Sequence, residues 1–285
     1  MLILSHGRAD RISTYQALRN SGYTGKVYIV IDNLDKTQDE YRSQYGNDVV
    51  VFDKPKVAEA CDSFDNFEGF KAILYARNAS WGIAKKLRLT HFVQLDDDYT
   101  KFEYRFNQKL QYVYQDGLSC HPGVRNLDTV FGAILDFLDA SNADTVAMTQ
   151  GGDFIGGLGN PCTLSIMLLR KAMNSFFCRT DRPFQFIGRM NEDVSTYTHK
   201  GSTGLVMLSI NQVSLVQKQS QGTPGGMSDV YLGAGTYVKS FYTVMCQPSS
   251  VVVTSMGNDN PRLHHNVRWR NTVPKIVKES LRRVS

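Results

Sequence analysis

The segment HFVQLDDDY, His91–Tyr99, decides the reading of this 285-residue chain. Phe92, Val93 and Leu95 form an apolar, strand-favouring run that ends on three consecutive aspartates, Asp96, Asp97 and Asp98. Three adjacent carboxylates repel one another unless a cation or good donors stand nearby. Side chains alternate along an extended chain, so Asp96 and Asp98 share one side and Asp97 takes the other, unless a turn breaks the parity. An Asp-x-Asp pair at a strand end offers hard oxygen ligands to Mn²⁺ or Mg²⁺. Such an ion bridges the two phosphates of a nucleotide and stabilises a leaving diphosphate. The alternative is structural: an acidic turn that caps the next helix.

Upstream of this segment, strand and helix patterns alternate. Leu2–Leu4 reads as a short apolar strand leading into Ser5-His6-Gly7-Arg8, and Arg11–Asn20 as a helix closed by Gly22. Val27–Ile31 is a second strand ending at Asp32, Thr37–Tyr45 a helix, Val49–Phe52 a third strand and Gly69–Leu87 a longer helix. Strands separated by helices predict a largely parallel sheet with right-handed crossovers, in which ligands bind beyond the carboxyl ends of the strands. The Ser5–Arg8 loop, Asp32 and the Asp triplet all lie at such ends.

Downstream the pattern is less regular, with a helix over Val130–Leu138 and a strand over Thr145–Met148. The glycine-rich Gly151–Asn160 (GGDFIGGLGN) lacks the Lys-Ser/Thr of a P-loop and the spacing GxGxxG, and reads as a flexible turn beside a site. Gln219–Gly226 (QSQGTPGG) reads as a mobile loop that could act as a lid. With no repeat, low-complexity tract or linker, a single domain over residues 1–285 is the simplest organisation.

Composition is that of a soluble globular protein, with 42% hydrophobic and 21% charged residues. A formal net charge of +5 does not by itself identify an acidic partner. The C-terminal end is more basic: Arg262, Arg268, Arg270, Lys275, Lys278, Arg282 and Arg283 face one acid, Glu279. Such an end can neutralise phosphates or be a solvated tail. Five cysteines, an odd count with no CxxC pair, fit free thiols in a reducing compartment and argue against a structural zinc site. The absence of a signal-peptide pattern and of an apolar window of ~18 residues predicts a cytoplasmic protein with no membrane span.

Several further residues could carry chemistry. Asn191-Glu192-Asp193 offers a carboxylate as general base, but locally it reads better as a cap with acids in a first helical turn. His264-His265 offers imidazole ligands for Mn²⁺; adjacent histidines usually point apart, so one at most would join a metal, and a surface pair is the plain alternative. Arg268-Trp269-Arg270 suits phosphate contact with ring stacking, or the filling of an edge strand. Asn78, beside Arg77, is a poor helix former inside a predicted helix, which points to a polar role or a helix surface.

Together these pieces resemble GT-A glycosyltransferases, an α/β fold with a Rossmann-type mixed sheet flanked by helices. The resemblance implies a nucleotide-binding half over 1–100, an acceptor-binding half with the basic end over 101–285, and a DxD-type motif between them. SHGRAD is similar to the family's first strand-to-helix loop, which implies that Ser5, His6, Gly7 and Arg8 hold the nucleotide. Asp32 stands where the family contacts the base, and YARNAS resembles the helix whose Arg-Asn pair, here Arg77 and Asn78, lies near the diphosphate. LDDDY resembles the metal motif, implying Asp96 and Asp98 as ligands of Mn²⁺ or Mg²⁺, with Asp97 beside the donor and Gly151 and Gly152 letting backbone approach the sugar. NEDVS resembles the acidic motif that supplies the base of inverting members, here Asp193, and a late histidine, His264 or His265, would complete the metal site.

SHGRAD, LDDDY, NEDVS and HHNVRWRNTVPKI together also look like bacteriophage-encoded, TET-associated transferases of DNA hypermodification. That implies a hexosyl- or pentosyltransferase of the host cytoplasm. It would use a UDP-sugar donor and a DNA acceptor bearing a 5-hydroxymethylpyrimidine such as hydroxymethylcytosine. Transfer to a glycan, lipid or protein is the nearest alternative. A nucleotidyltransferase and a non-enzymatic nucleic-acid-binding module are more distant ones.

Overall fold

Side-chain parity along the first strands explains the layering of the protein. Ile3, Ile29, Ile31, Val93 and Leu95 face one core, and Leu2, Leu4, Val30 and Phe92 face another. Strands that are apolar on both sides must be covered on both sides, which is the condition of a central sheet between helical layers. The computed structural model describes residues 1–66, 68–113, 121–154, 160, 163, 171–217, 238–256, 262–274 and 279.

Four parallel strands, β1 (Leu2–Leu4), β2 (Tyr28–Asp32), β3 (Val49–Phe52) and β4 (His91–Asp96), alternate with α1 (Ser13–Asn20), α2 (Gln38–Tyr45), α3 (Lys54–Ala58) and α4 (Leu74–Lys86). β5 (Tyr99–Tyr104), α5 (Leu127–Ser141), β6 (Thr145–Gln150), β7 (Ser175–Arg179), α6 (Glu192–Ser202) and β8 (Met207–Gln217) complete an eight-stranded sheet of order β3-β2-β1-β4-β7-β6-β8-β5. A separate antiparallel pair joins β9 (Val251–Met256) and β10 (Arg262–Val267).

The parallel expectation holds for the first half. β7 runs antiparallel to both β4 and β6, and β5 antiparallel to β8, so the whole sheet is mixed and the fold is a single α/β domain. Two local expectations are corrected. The helix predicted from Gly69 begins at Leu74, because Gly69 sits at φ +81 and its carbonyl accepts from Arg189 Nη1 at 2.6 Å. The Asp triplet caps no helix: Asp97 and Asp98 form a turn from β4 into β5.

Register gathers the chemistry at one edge. Leu4 pairs with both Val30 and Asp96, which brings together the ends of β1, β2 and β4. Leu95 pairs with Ser175, Gln150 with Leu215, and Tyr99 with Gln217, so the start of β7, the ends of β6 and β8 and the start of β5 reach the same edge. Among the described residues no helix is long and apolar enough to cross a membrane. Cys61, Cys178 and Cys246 are free, and Cys120 and Cys162 lie outside the described residues.

Gly22 terminates α1 with φ +82, and a Cβ there would stand 2.2 Å from the Arg125 carbonyl oxygen. Gly22→Ala combines left-handed strain with a backbone clash and is expected to cost about 2 kcal/mol or more. Urea denaturation of the two proteins measures it.

Candidate active site

The Arg77 guanidinium, on α4, is 1% exposed and forks between two motifs distant in sequence. Its Nη2 donates to Asp96 Oδ1 at 2.9 Å and its Nε to Glu192 Oε1 at 2.8 Å, while the rings of Phe176 and Phe186 lie 5.0 and 5.6 Å from its charge. Burial opposes the charge, but Asp96 and Glu192 more than restore it, so Arg77 stays cationic. Nη1 alone has no partner among the described residues. The fork fastens the Asp turn to the first turn of α6, on which Glu192 and Asp193 both stand.

The three aspartates divide. Asp97 turns to the first loop, accepting from Ser5 Oγ at 2.6 Å and Arg8 Nη1 at 3.0 Å. Asp98 turns to β8, where Gln217 Nε2 donates to both its oxygens at 3.0 Å, and Gln217 in turn accepts from Gln150 Nε2 at 3.1 Å. Asp96 turns to Arg77. Thr14 ties the turn down, donating to the Asp96 carbonyl at 2.6 Å and accepting from the Tyr99 amide at 2.9 Å. Burial, with repulsion from Asp98, Glu192 and Asp97 working against Arg77, pushes the Asp96 carboxyl up to about 7. Burial also raises Asp98, outweighing its Gln217 bonds.

The first loop is held from beneath. Tyr41, buried on α2, bonds Ser5 Oγ at 2.8 Å and accepts from the Arg8 amide at 2.9 Å. Gly7, at φ +65, donates its amide to Asp35 Oδ2 at 2.8 Å. Asp32 accepts from buried Lys54 Nζ at 3.1 Å and bonds His6 Nδ1 at 2.7 Å. Burial would raise the Asp32 carboxyl, but the His6 bond and the Lys54 charge hold it below its ordinary value. His6 is the half-exposed member of this group, its side chain 49% open to solvent.

On α6 the acids stand in the first helical turn, as the local sequence predicts. Asn191 stands at the N-cap position in the left-handed region, φ 50, but its side chain bonds no helix amide and instead donates Nδ2 to the Lys239 carbonyl at 2.9 Å. Glu192 and Asp193 occupy the first turn, and both are buried. Asp193 Oδ1 accepts from the Val194 amide at 2.7 Å. Burial first, then repulsion from Glu192, pushes Asp193 up to about 6.

Other expected site residues are placed differently. Asn78 spends its amide on Phe186, donating to the carbonyl at 2.9 Å and accepting from the amide at 2.8 Å, so it braces a loop. His264 and His265 do not point apart: their rings stack at 4.4 Å on β10, which is not hydrogen-bonded to the main sheet. Burial, then the charges of His264, Lys239 and Lys171, hold His265 down at about 4. Among the described residues no group of three or more His, Cys, Asp or Glu side chains stands together in metal-binding geometry. Trp269 stacks on Tyr197 at 5.3 Å in a short 3-10 turn, while Arg268 and Arg270 are exposed. Gly151 and Gly152 open the turn after β6, but residues 155–159 and the glycine-rich 219–226 lie outside the described residues. Gln217, Tyr41, Lys54 and Asp35 had no local sequence signal, because each is defined only by the partner it meets.

A family model described as TET-Associated Glycosyltransferase matches residues 1–226, and no curated protein matches the chain.

Removing one partner of a buried charge group leaves the others uncompensated, so Arg77→Met is expected to cost about 3–5 kcal/mol. Arg77→Lys, which keeps the charge without the fork, should cost less. Guanidinium unfolding of the two variants checks the order; a neutral Arg77→Met would refute the bridging role.

Proposed function

The chain belongs to the TET-associated glycosyltransferase family, and from that premise we propose that it moves a sugar from a UDP-sugar to the hydroxyl of a 5-hydroxymethylpyrimidine in DNA. The observation that carries the reading is the Arg77 fork. It sets the acidic turn after β4 and the acidic turn of α6 side by side at the sheet edge where the first loop also ends. In this reading residues 1–100 bind the donor and 101–285 receive the acceptor.

His6 and Gly7 form the exposed lip of the donor side and Arg8 lies half-buried behind them, with Asp32, Asp35, Tyr41 and Asp97 positioning all three. Asp96 and Asp98 are the residues that would hold Mn²⁺ or Mg²⁺. The donor set fits in kind: Asp96 and Asp98 offer hard carboxylate oxygens at one strand end, and burial raises the proton affinity of both. Asp98, Glu192 and Asp97 repel Asp96, and Glu192 repels Asp193, while Arg77 offsets part of both and Arg8 part of the charge on Asp98. A bound ion supplies charge to offset the diphosphate.

Asp193 acts as the base. Its Oδ1 is held by the Val194 amide, and Oδ2 takes the proton from the acceptor hydroxyl. The hydroxyl oxygen then attacks the anomeric carbon as the bond to the diphosphate breaks and its electron pair leaves with the nucleoside diphosphate. The outcome is inversion. A base at about 6 is ionised at neutral pH yet still a useful proton acceptor.

Labelled UDP-sugars with Mn²⁺ and unmodified, 5-hydroxymethylcytosine or 5-hydroxymethyluracil DNA test the reaction. Label is expected in a modified DNA and lost on chelation or in Asp98→Asn. Donor hydrolysis without label in any DNA would remove the DNA acceptor and keep the transferase. Asp193 gives a second test. Its ionisation makes kcat/KM fall as pH drops through about 6, and Asp193→Asn should lower kcat by roughly 100-fold or more. Its folded carboxyl lies above its ordinary value, so its contribution to stability is present below about 4 and lost as pH rises through about 6. The same substitution should therefore raise the thermal midpoint at pH 8, by roughly 2–4 °C per kcal/mol relieved, and not at pH 4.

A further inference from the structure

Beyond β5 the chain makes a tight hairpin whose arms meet at the Phe106–Tyr112 bridge. Asn107 builds its turn. Asn107 Oδ1 accepts from the amides of Lys109 at 2.9 Å and Gln111 at 3.0 Å, and its own amide donates to the Gln111 carbonyl at 2.9 Å. This geometry puts Leu110 in the left-handed region, φ 58, a conformation that favours glycine or asparagine. Leu110 is also 77% exposed, the most exposed large apolar side chain among the described residues. The leucine is thus unfavourable twice, in its backbone and in its hydration. A strained and exposed apolar tip is open to a partner outside the chain.

The base of the hairpin is rigid and touches the site edge. Phe106 meets Tyr112 edge-on at 5.8 Å, Tyr112 stacks on Phe154 at 5.5 Å, and the Arg105 guanidinium lies 4.8 Å from the Phe154 ring. Phe154 ends the turn that follows β6, at the edge where the candidate site lies. Around the tip, Asn107, Gln108, Lys109 and Gln111 are exposed, and residues 104–113 contain no acid. The preceding acid, Glu103, is buried and paired with Lys101 and Arg105. Asn107 Nδ2 also donates to Gln111 Oε1, so the two amides brace the turn. This leaves Lys109 and Gln108 beside a bare apolar tip to meet phosphates and base edges of nucleic acid, and an apolar side chain can enter a base step and partly unstack it.

We propose that the 106–112 hairpin is a wedge for duplex DNA, with Leu110 entering a base step beside the target nucleotide and Lys109 meeting a phosphate. This rests on the DNA-acceptor reading above. The test uses the full chain and a short duplex with 5-hydroxymethylcytosine next to 2-aminopurine, whose fluorescence rises on unstacking. Leu110→Gly removes the wedge and relieves the strain. It is expected to bind the duplex roughly tenfold more weakly and to lose the fluorescence rise. Donor hydrolysis without DNA should be unchanged and the thermal midpoint no lower. Wild-type transfer to DNA together with an undiminished rise and affinity in Leu110→Gly would overturn the wedge and leave the acceptor reading standing. Wild-type failure to modify any DNA would overturn both.

Discussion

One buried guanidinium sets the terms for everything at the carboxyl edge of the sheet. Arg77 is enclosed by Phe176 and Phe186, where a cation survives only with carboxylates on it. It takes one from Asp96, 19 residues away, and one from Glu192, 115 residues away. The same two contacts that make the charge tolerable fix where α6 begins relative to β4. Asp193, the next residue on α6, inherits its position from that constraint.

Around this fork the consecutive aspartates perform three separate tasks because the chain turns between them. An extended chain would have set Asp96 and Asp98 on one side. The turn instead sends Asp96 to α4, Asp97 to the Ser5–Arg8 loop and Asp98 to the end of β8. Each partner lies on a different part of the sheet, so the turn knits the parallel half to the mixed half. Burial first, and then repulsion between neighbouring acids, raises Asp96, Asp98 and Asp193 together. Keeping carboxylates buried so close together is a cost to the fold.

The same tension appears at the periphery. Asn191 adopts a left-handed conformation to start α6, and Leu110 does so at a hairpin tip. At Asn191 the side chain recovers the cost through bonds to the Lys239 carbonyl and to Thr243 Oγ1. At Leu110 the apolar side chain stays in solvent. The contrast separates a conformation explained within the protein from one that is not.

Local patterning determined the first half of the fold by itself. Val49–Phe52 and Leu2–Leu4 were legible residue for residue, because continuous apolar runs and helix-ending glycines are short-range signals, whereas Lys54–Ala58 and Tyr99–Tyr104 carried no such signal. The convergence of Ser5–Arg8, Asp32 and the aspartates at strand ends followed from that alternation alone. What only tertiary structure decided were the pairings between distant residues. Arg77 with Glu192, Asp98 with Gln217 and Ser5 with Tyr41 each depend on sheet order and register. The insertion of β7 beside β4, which makes the sheet mixed, left no mark near the Asp motif. Asn78 and the stacked His264–His265 show the limit most clearly. Residue type announces which bonds a side chain can make, and only the packed chain selects the partner that satisfies them.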